Sequence, residues 1–469
     1  MKFAQKPIVR IAIFCIATVI GVIITLAAPP EGYTVELMRF LGIFVWMIIC
    51  MVFTVAPDWL VLLVALVACV LLKVNTFSTI FGQFAGSTVW NIIVLSAFVN
   101  SMASTGLFKR IALKILTFFK PTYNGQVLAI MTSSTALTPL VPGEISKLGI
   151  MSPMSCSVSR ASGYADHSKP AAGLFTASFV PIYIGSLAFM SGTPTVYMLL
   201  GYIGDHAAKF TWVFWAGACI LWFVIILVLF YFFITRYYKP AEDSEVASSE
   251  VTAKEQYEAL GPMSKGEKLS LVVLAVCLAL WTTEAIHGIS GLYVSIGAFA
   301  VVTIAGLFTN RDFGTRIPWL VVFLAGFILG ILTLCSTTGF TNWVGGIITP
   351  ILGPLASNIY IMVPIICISA YILRSFVVSQ NTTTIIIYSA FAPIVLTAGG
   401  NPWFVVFCAY ASTCVWNVKF TSVAYIQAEA FAGGFIEHKD VIPSSIAFMV
   451  INLIAMLASI PLWQLMGLA

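Results

Sequence analysis

Charge is what this sequence has least of. Only 9% of its 469 residues are Asp, Glu, Lys or Arg, where a soluble domain carries roughly 25%. That shortfall excludes an ordinary soluble globular chain. Ten cysteines are scattered through apolar stretches with no CxxC pair, so neither a disulfide framework nor a zinc site is expected. The four histidines, His167, His206, His287 and His438, fall in expected loops or at span ends, and no metal or cofactor is expected. No basic face or stripe is present, which excludes a nucleic-acid partner. HExxH, GxSxG and Asp-rich phosphate-binding motifs are also missing. Glu144 is the one candidate buried acid, with no His or Asp partner near it in sequence, so an intramembrane enzyme is not expected.

What the chain has is apolar length. It is 60% hydrophobic, with a mean hydropathy of +1.01. A span needs ~20 apolar residues. On that ruler spans fall near 9–28, 37–55, 58–73 and 84–107. An interrupted hairpin follows at 124–160, a broken span at 171–201 and a span at 211–235. The second half has spans near 268–285, 290–308 and 318–348, a hairpin at 358–396, a broken span at 402–430 and a last span at 442–466. The expectation is an all-α polytopic membrane protein of about eleven spans plus two re-entrant hairpins.

Residues 1–235 and 269–469 form the two halves. Between them, 236–268 reads as a solvated cytoplasmic connector, with the acidic runs Glu242-Asp243-Ser244-Glu245 and Ser248-Ser249-Glu250. The basic start, Lys2, Lys6 and Arg10, precedes an apolar stretch too long for a signal peptide, read as a retained first span. Lys and Arg in short loops place the N-terminus in the cytoplasm and the C-terminus outside. Lys109, Arg110, Lys114, Lys120, Arg160 and Arg316 then lie inside, and Lys209 stands nearly alone outside. This assignment gives the two halves opposite topology. Trp90 followed by Thr105-Gly106-Leu107 echoes Trp319 followed by Thr338-Gly339-Phe340, each ahead of a hairpin.

Two polar breaks interrupt the apolar hairpins: Ser133 to Lys147 and Ser379 to Thr384. Non-helical backbone at membrane depth is tolerated only where protein or a water-filled cavity solvates it. Breaks at corresponding places of two halves point to a transporter binding site. Each broken span adds its own break, at Gly185 to Thr195 and at Ser412 to Ser422. Half-helix N-termini there would aim free N–H groups at an anion. A channel is the other membrane reading, but inverted hairpins fit alternating access better than a continuous pore. Hydroxyl stripes elsewhere, such as Ser101, Ser104 and Thr105, are read as helix-packing contacts.

This order of hairpin, polar tip and Gly-Thr-Pro break, repeated once, resembles the divalent anion:sodium symporter family. It is nearest in style to the exchanger branch of citrate/succinate antiporters and 2-oxoglutarate/malate translocators. Family members carry Ser-Asn-Thr at each tip. The second tip here reads Gln380-Asn381-Thr382, while the first reads Gly143-Glu144-Ile145 within the frame Pro142-x4-Lys147-x-Gly149. The family's Gly-Thr-Pro appears as Gly192-Thr193-Pro194, and Thr421 alone survives in the second copy.

The resemblance implies a homodimeric elevator in the cell's inner membrane, with scaffold and transport domains, carrying a di- or tricarboxylate. It places substrate at Gly143, Glu144, Ile145, Ser146, Lys147, Thr193, Pro194, Gln380, Asn381, Thr382, Thr383 and Thr421. Ionisable side chains at that depth are functional by default, which singles out Glu144, Lys147, Arg374 and Lys419. Lys147 and Lys419 are expected to stand where sodium sits in a symporter, giving sodium-independent exchange. Arg374 either joins them or snorkels to a span end. Glu144 either pairs with Lys147 three residues on or is protonated by burial, which would couple transport to protons. Sodium- or proton-coupled symport of organic anions or an inorganic oxyanion is the alternative.

Overall fold

The computed structural model describes residues 7–120, 122–240, 249–347 and 358–469, and among them the chain is helical with no strand. The acidic stretch 242–248, the basic residues Lys2 and Lys6, and the end of the expected 318–348 span lie outside the described residues.

The chain opens with α1 (Pro7–Leu26), α2 (Val35–Val52), α3 (Asp58–Leu71) and α4 (Ser87–Ala103). A short α5 (Leu107–Leu116) leads into the first hairpin, α6 (Tyr123–Leu137) and α7 (Glu144–Ala161). The first broken span is α8 (Lys169–Gly185) and α9 (Thr195–Tyr202), followed by α10 (Trp212–Tyr237). After the connector come α11 (Lys265–Thr282), α12 (Gly291–Ile304) and α13 (Trp319–Thr337). The second hairpin is α14 (Ile359–Arg374) and α15 (Gln380–Thr397). The second broken span is α16 (Trp403–Thr413) and α17 (Val423–Phe431), and α18 (His438–Leu465) closes the fold.

Among the described residues seven helices are long and apolar enough to cross a membrane. The α-helix is interrupted at 138–143 and 375–379, inside the stretches expected as hairpins, and at 186–194 and 414–422, inside those expected as broken spans. At the first tip Pro139 and Pro142 remove backbone donors, and Gly143 takes φ +90°, a left-handed conformation a right-handed helix cannot continue through. The helix break is narrower than the polar stretch: Ser133 to Leu137 remain in α6, and Glu144 to Lys147 form the first turn of α7.

A glycine elbow closes one expected span and cuts another. The stretch 84–107 ends at Gly106 (φ +91°), and 318–348 is cut at Gly339 (φ +75°), beyond which residues 340–347 are helical. These are the paired Thr-Gly positions, so the echo in sequence marks the same local turn twice.

The helices pack in two sets. One joins α1, α2, α3, α4, α11, α12 and α13, while the other gathers both hairpins around α8, α16, α10 and α18. Each hairpin wraps the first half of its own broken span, and α17 crosses onto α7. A fully buried Asn452 on α18 ties the second set together, accepting from Trp222 Nε1 at 2.9 Å and donating to Ser412 Oγ at 3.1 Å.

The connector is docked rather than merely solvated. Arg110 on α5 donates to the Gly261 carbonyl at 2.8 Å and to the Leu260 carbonyl, and its Nε pairs with Glu267 at 2.8 Å. Tyr257, on the helix Ser249–Glu258, lies under Lys114 at 5.0 Å and Arg110 at 5.9 Å. The Arg110 hydrogen bonds hold the Glu267 carboxyl below the usual carboxylate range.

Candidate functional site

Each hairpin tip is fastened to the unwound stretch beside it by a buried cation. In the first half the Lys147 ammonium, fully buried, donates to Ser186 Oγ at 2.5 Å and to the Gly192 carbonyl at 2.9 Å. Ser186 Oγ in turn donates a hydrogen bond to the Ile182 carbonyl. The Gly143 amide reaches the same Gly192 oxygen at 3.0 Å. Ser191 Oγ donates to the Pro139 carbonyl at 2.6 Å. Gly192 cannot be replaced here, because a Cβ would collide with the Ser186 and Thr138 carbonyls.

In the second half the cation is Arg374, 1% exposed. Its guanidinium donates to the carbonyls of Val377, Val378, Thr413 and Thr421, the first three at 2.9, 2.5 and 3.0 Å. Unwinding leaves backbone oxygens without helix partners, and a buried orphan costs about as much as a lost hydrogen bond. The fork of Arg374 satisfies four at once. Arg374 is therefore drawn inward and does not snorkel.

The halves meet at Gln380. Its Nε2 donates to Tyr183 OH at 3.1 Å and Thr413 Oγ1 at 3.3 Å. Glu144, half-buried at the first tip, lies within electrostatic range of Tyr410 and Cys414.

Other expected site residues are already committed. Thr383 Oγ1 donates to the Ser379 carbonyl and Thr421 Oγ1 to the Val418 carbonyl. Thr193 Oγ1 accepts the Thr195 amide, and Pro194 is buried beside it. Ile145 is 48% exposed, while Ser146 and Asn381 are half-buried. Thr382 Oγ1 is buried with no hydrogen-bond partner.

Two expectations about charge need correction. Glu144 makes no direct ion pair with Lys147, whose ammonium bonds Ser186 and Gly192 instead, although the two charges stay within electrostatic range of each other. Lys419 is not a buried lone cation, since its side chain is 49% exposed and pairs with Glu429 at 2.5 Å. Tyr183, Tyr410 and Asp58 were not singled out by the sequence. Tyrosines in apolar spans give little signal, whereas Asp58, an acid at the first residue of a span, was readable. A cavity of about 790 Å³ lies elsewhere, between the two helix sets, lined by Ser87, Asp205, His206, Thr341 and Tyr388. It includes none of the expected site residues. Among the described residues no three His, Cys, Asp or Glu side chains are grouped so that they could hold a metal ion.

Residues 9–469 match the family of the sodium:sulfate symporter transmembrane region. The chain belongs to that family, the divalent anion:sodium symporters. It is an integral membrane transporter of small anions and not an enzyme. It is 24% identical over 392 residues to dicarboxylate transporter 1 of Arabidopsis thaliana chloroplasts, covering 82% of this chain and 70% of the relative. It is 26% identical over 356 residues to the inner membrane protein YbhI of Escherichia coli K12, covering 73% and 72%. The fold resembles the YdaH transporter of Alcanivorax borkumensis, with a TM-score of 0.58 at 13% identity over 83% of this chain and 88% of that one.

Proposed function

We propose that this symporter-family member exchanges dicarboxylates without sodium, using Lys147 and Arg374 as fixed cations. The carrying observation is that each buried cation sits on carbonyl oxygens of the unwound stretch beside its own hairpin tip. Such oxygens are the ligands a hard monovalent cation would take. A tethered ammonium or guanidinium supplies the same charge and cannot dissociate. The pair expected from sequence, Lys147 with Lys419, becomes Lys147 with Arg374, because Glu429 already neutralises Lys419.

Substrate carboxylates would lie between the tips, near Gln380, Tyr183 and the start of α15, whose free amides favour an anion. The unpartnered Thr382 hydroxyl supplies a further donor there. Moving fixed cations unaccompanied costs at least ~2.5–3.5 kcal/mol per charge at the bilayer centre. A bound dianion lowers that cost, so the loaded form crosses and transport is exchange. The Arabidopsis relative, a dicarboxylate transporter, and the E. coli relative, an inner membrane protein, support a dicarboxylate and an inner membrane. A homodimer, an inverted repeat and an elevator motion of the hairpin set against the other belong to the same reading. In this reading the N-terminus lies in the cytoplasm and the C-terminus outside, as the basic residues of the short loops favour.

The test is uptake of labelled succinate into proteoliposomes holding succinate, 2-oxoglutarate, citrate or nothing, with and without sodium. Uptake into preloaded vesicles alone, indifferent to sodium, is expected. Sodium-driven uptake into unloaded vesicles would overturn exchange, and no uptake of any carboxylate would overturn the substrate class.

A further inference from the structure

Asp58 is the first residue of α3, in the helix set opposite the hairpins. Its carboxylate accepts a hydrogen bond from Ser379 Oγ. Ser379 is the N-cap of α15 and accepts the Thr382 amide at 3.1 Å. One hydroxyl therefore links the start of α15 to an acid on the opposite set. Among the described residues no Lys, Arg or His forms an ion pair with Asp58, and the residue is half-buried. An acid in the first turn suits the positive end of its own α3. That role does not require it to reach across to a hairpin tip.

What Asp58 offers the tip is a carboxylate, the group a dicarboxylate substrate would bring. A hydroxyl has one proton to donate. Ser379 can give it to Asp58 or to a substrate oxygen, not to both.

We infer that Asp58 is a positioning residue that competes with the substrate carboxylate for the second hairpin tip, so that substrate binding at Ser379 unfastens one helix set from the other. This rests on the proposed dicarboxylate exchange. The competition has two consequences. Apparent affinity for substrate is lower than the tip alone would give, and the tip is tied to the opposite set until an anion displaces Asp58. Both favour exchange over net flux.

The experiment compares wild type with Asp58→Ala and Asp58→Asn in proteoliposomes, reading the half-saturating succinate concentration and uptake into unloaded vesicles. Removing the competitor should lower the half-saturating concentration about tenfold or more, with new uptake into unloaded vesicles. Asp58→Asn keeps an uncharged acceptor for Ser379 and should fall between the two, which separates competition from misfolding. A second readout needs no substrate. Asp58→Cys with Ser379→Cys, in a Cys15→Ser background, should cross-link with a short bifunctional thiol reagent in the purified protein. Failure of that cross-link overturns the contact whatever the substrate. Cross-linking together with wild-type succinate affinity in Asp58→Ala overturns the competition alone. No carboxylate uptake by wild type overturns the dicarboxylate reading, and the competition with it.

Discussion

Lys147 and Gly192 are 45 residues apart in sequence and 2.9 Å apart in space, ammonium nitrogen to carbonyl oxygen. The second ligand of that ammonium, Ser186 Oγ, stands at the other end of the same unwound stretch. One side chain thus spans the break.

Lys147→Ala leaves one acceptor site on Gly192 and one on Ser186 unfilled in a buried setting. About 1.5–3 kcal/mol of stability should be lost, visible as a lower melting temperature in detergent. Succinate exchange should drop at least about tenfold. Added sodium should restore part of it, since the freed oxygens would then face a soluble cation. Exchange at the wild-type rate would remove Lys147 from the mechanism.

Lys419→Ala should behave differently. Half-exposed ion pairs contribute about 0–1 kcal/mol, and Glu429 absorbs this charge already. Exchange within about twofold of wild type is expected. Loss of exchange would return Lys419 to the role its place in the sequence suggested.

Tyr183→Phe removes the hydroxyl that meets Gln380. Gln380 keeps Thr413, so the variant should fold. A single neutral hydrogen bond is worth about 0.5–1.5 kcal/mol, which predicts a few-fold rise in the half-saturating succinate concentration. An unchanged value would place Gln380 and Tyr183 outside the binding surface.

Glu267 gives a pH signature at the connector between the halves, ahead of the apolar part of α11. Arg110 lowers its carboxyl below the usual range, so the pair's contribution is present above the unfolded carboxyl value, about 4.3. It is lost as pH falls through the depressed folded value. Melting temperature should therefore show no Glu267 contribution to its pH dependence from pH 8 to 6, and an acid fall below about pH 4 that Glu267→Gln blunts. An equal acid fall in both proteins would contradict this.

The sequence disclosed the breaks because Pro, Gly and hydroxyl residues stand out in apolar runs. The expected breaks were Ser133 to Lys147 and Ser379 to Thr384; the non-helical stretches are Thr138 to Gly143 and Ser375 to Ser379, and Gln380 to Thr384 instead open α15. The sequence did not disclose what each cation touches. The broken-span carbonyls that hold them, Gly192 for Lys147 and Thr413 and Thr421 for Arg374, lie 39 to 47 residues away, and backbone oxygens leave no mark in a sequence. Lys419 was misjudged for a related reason. Its partner Glu429 lies ten residues on, across a break that undoes helical spacing. Asp58 read as a span boundary because one chain, viewed linearly, cannot show which helix end faces which.

The covalent passages between the two helix sets carry one more consequence. The chain crosses at the Gly106 elbow, along the connector, and at the Gly339 elbow. Arg110, four residues past the first elbow, grips the connector at Leu260, Gly261 and Glu267. The first two passages are thereby riveted into a single strap. The strap and the Gly339 passage each have their own glycine joint, and a load placed on the connector is felt at the root of the first hairpin.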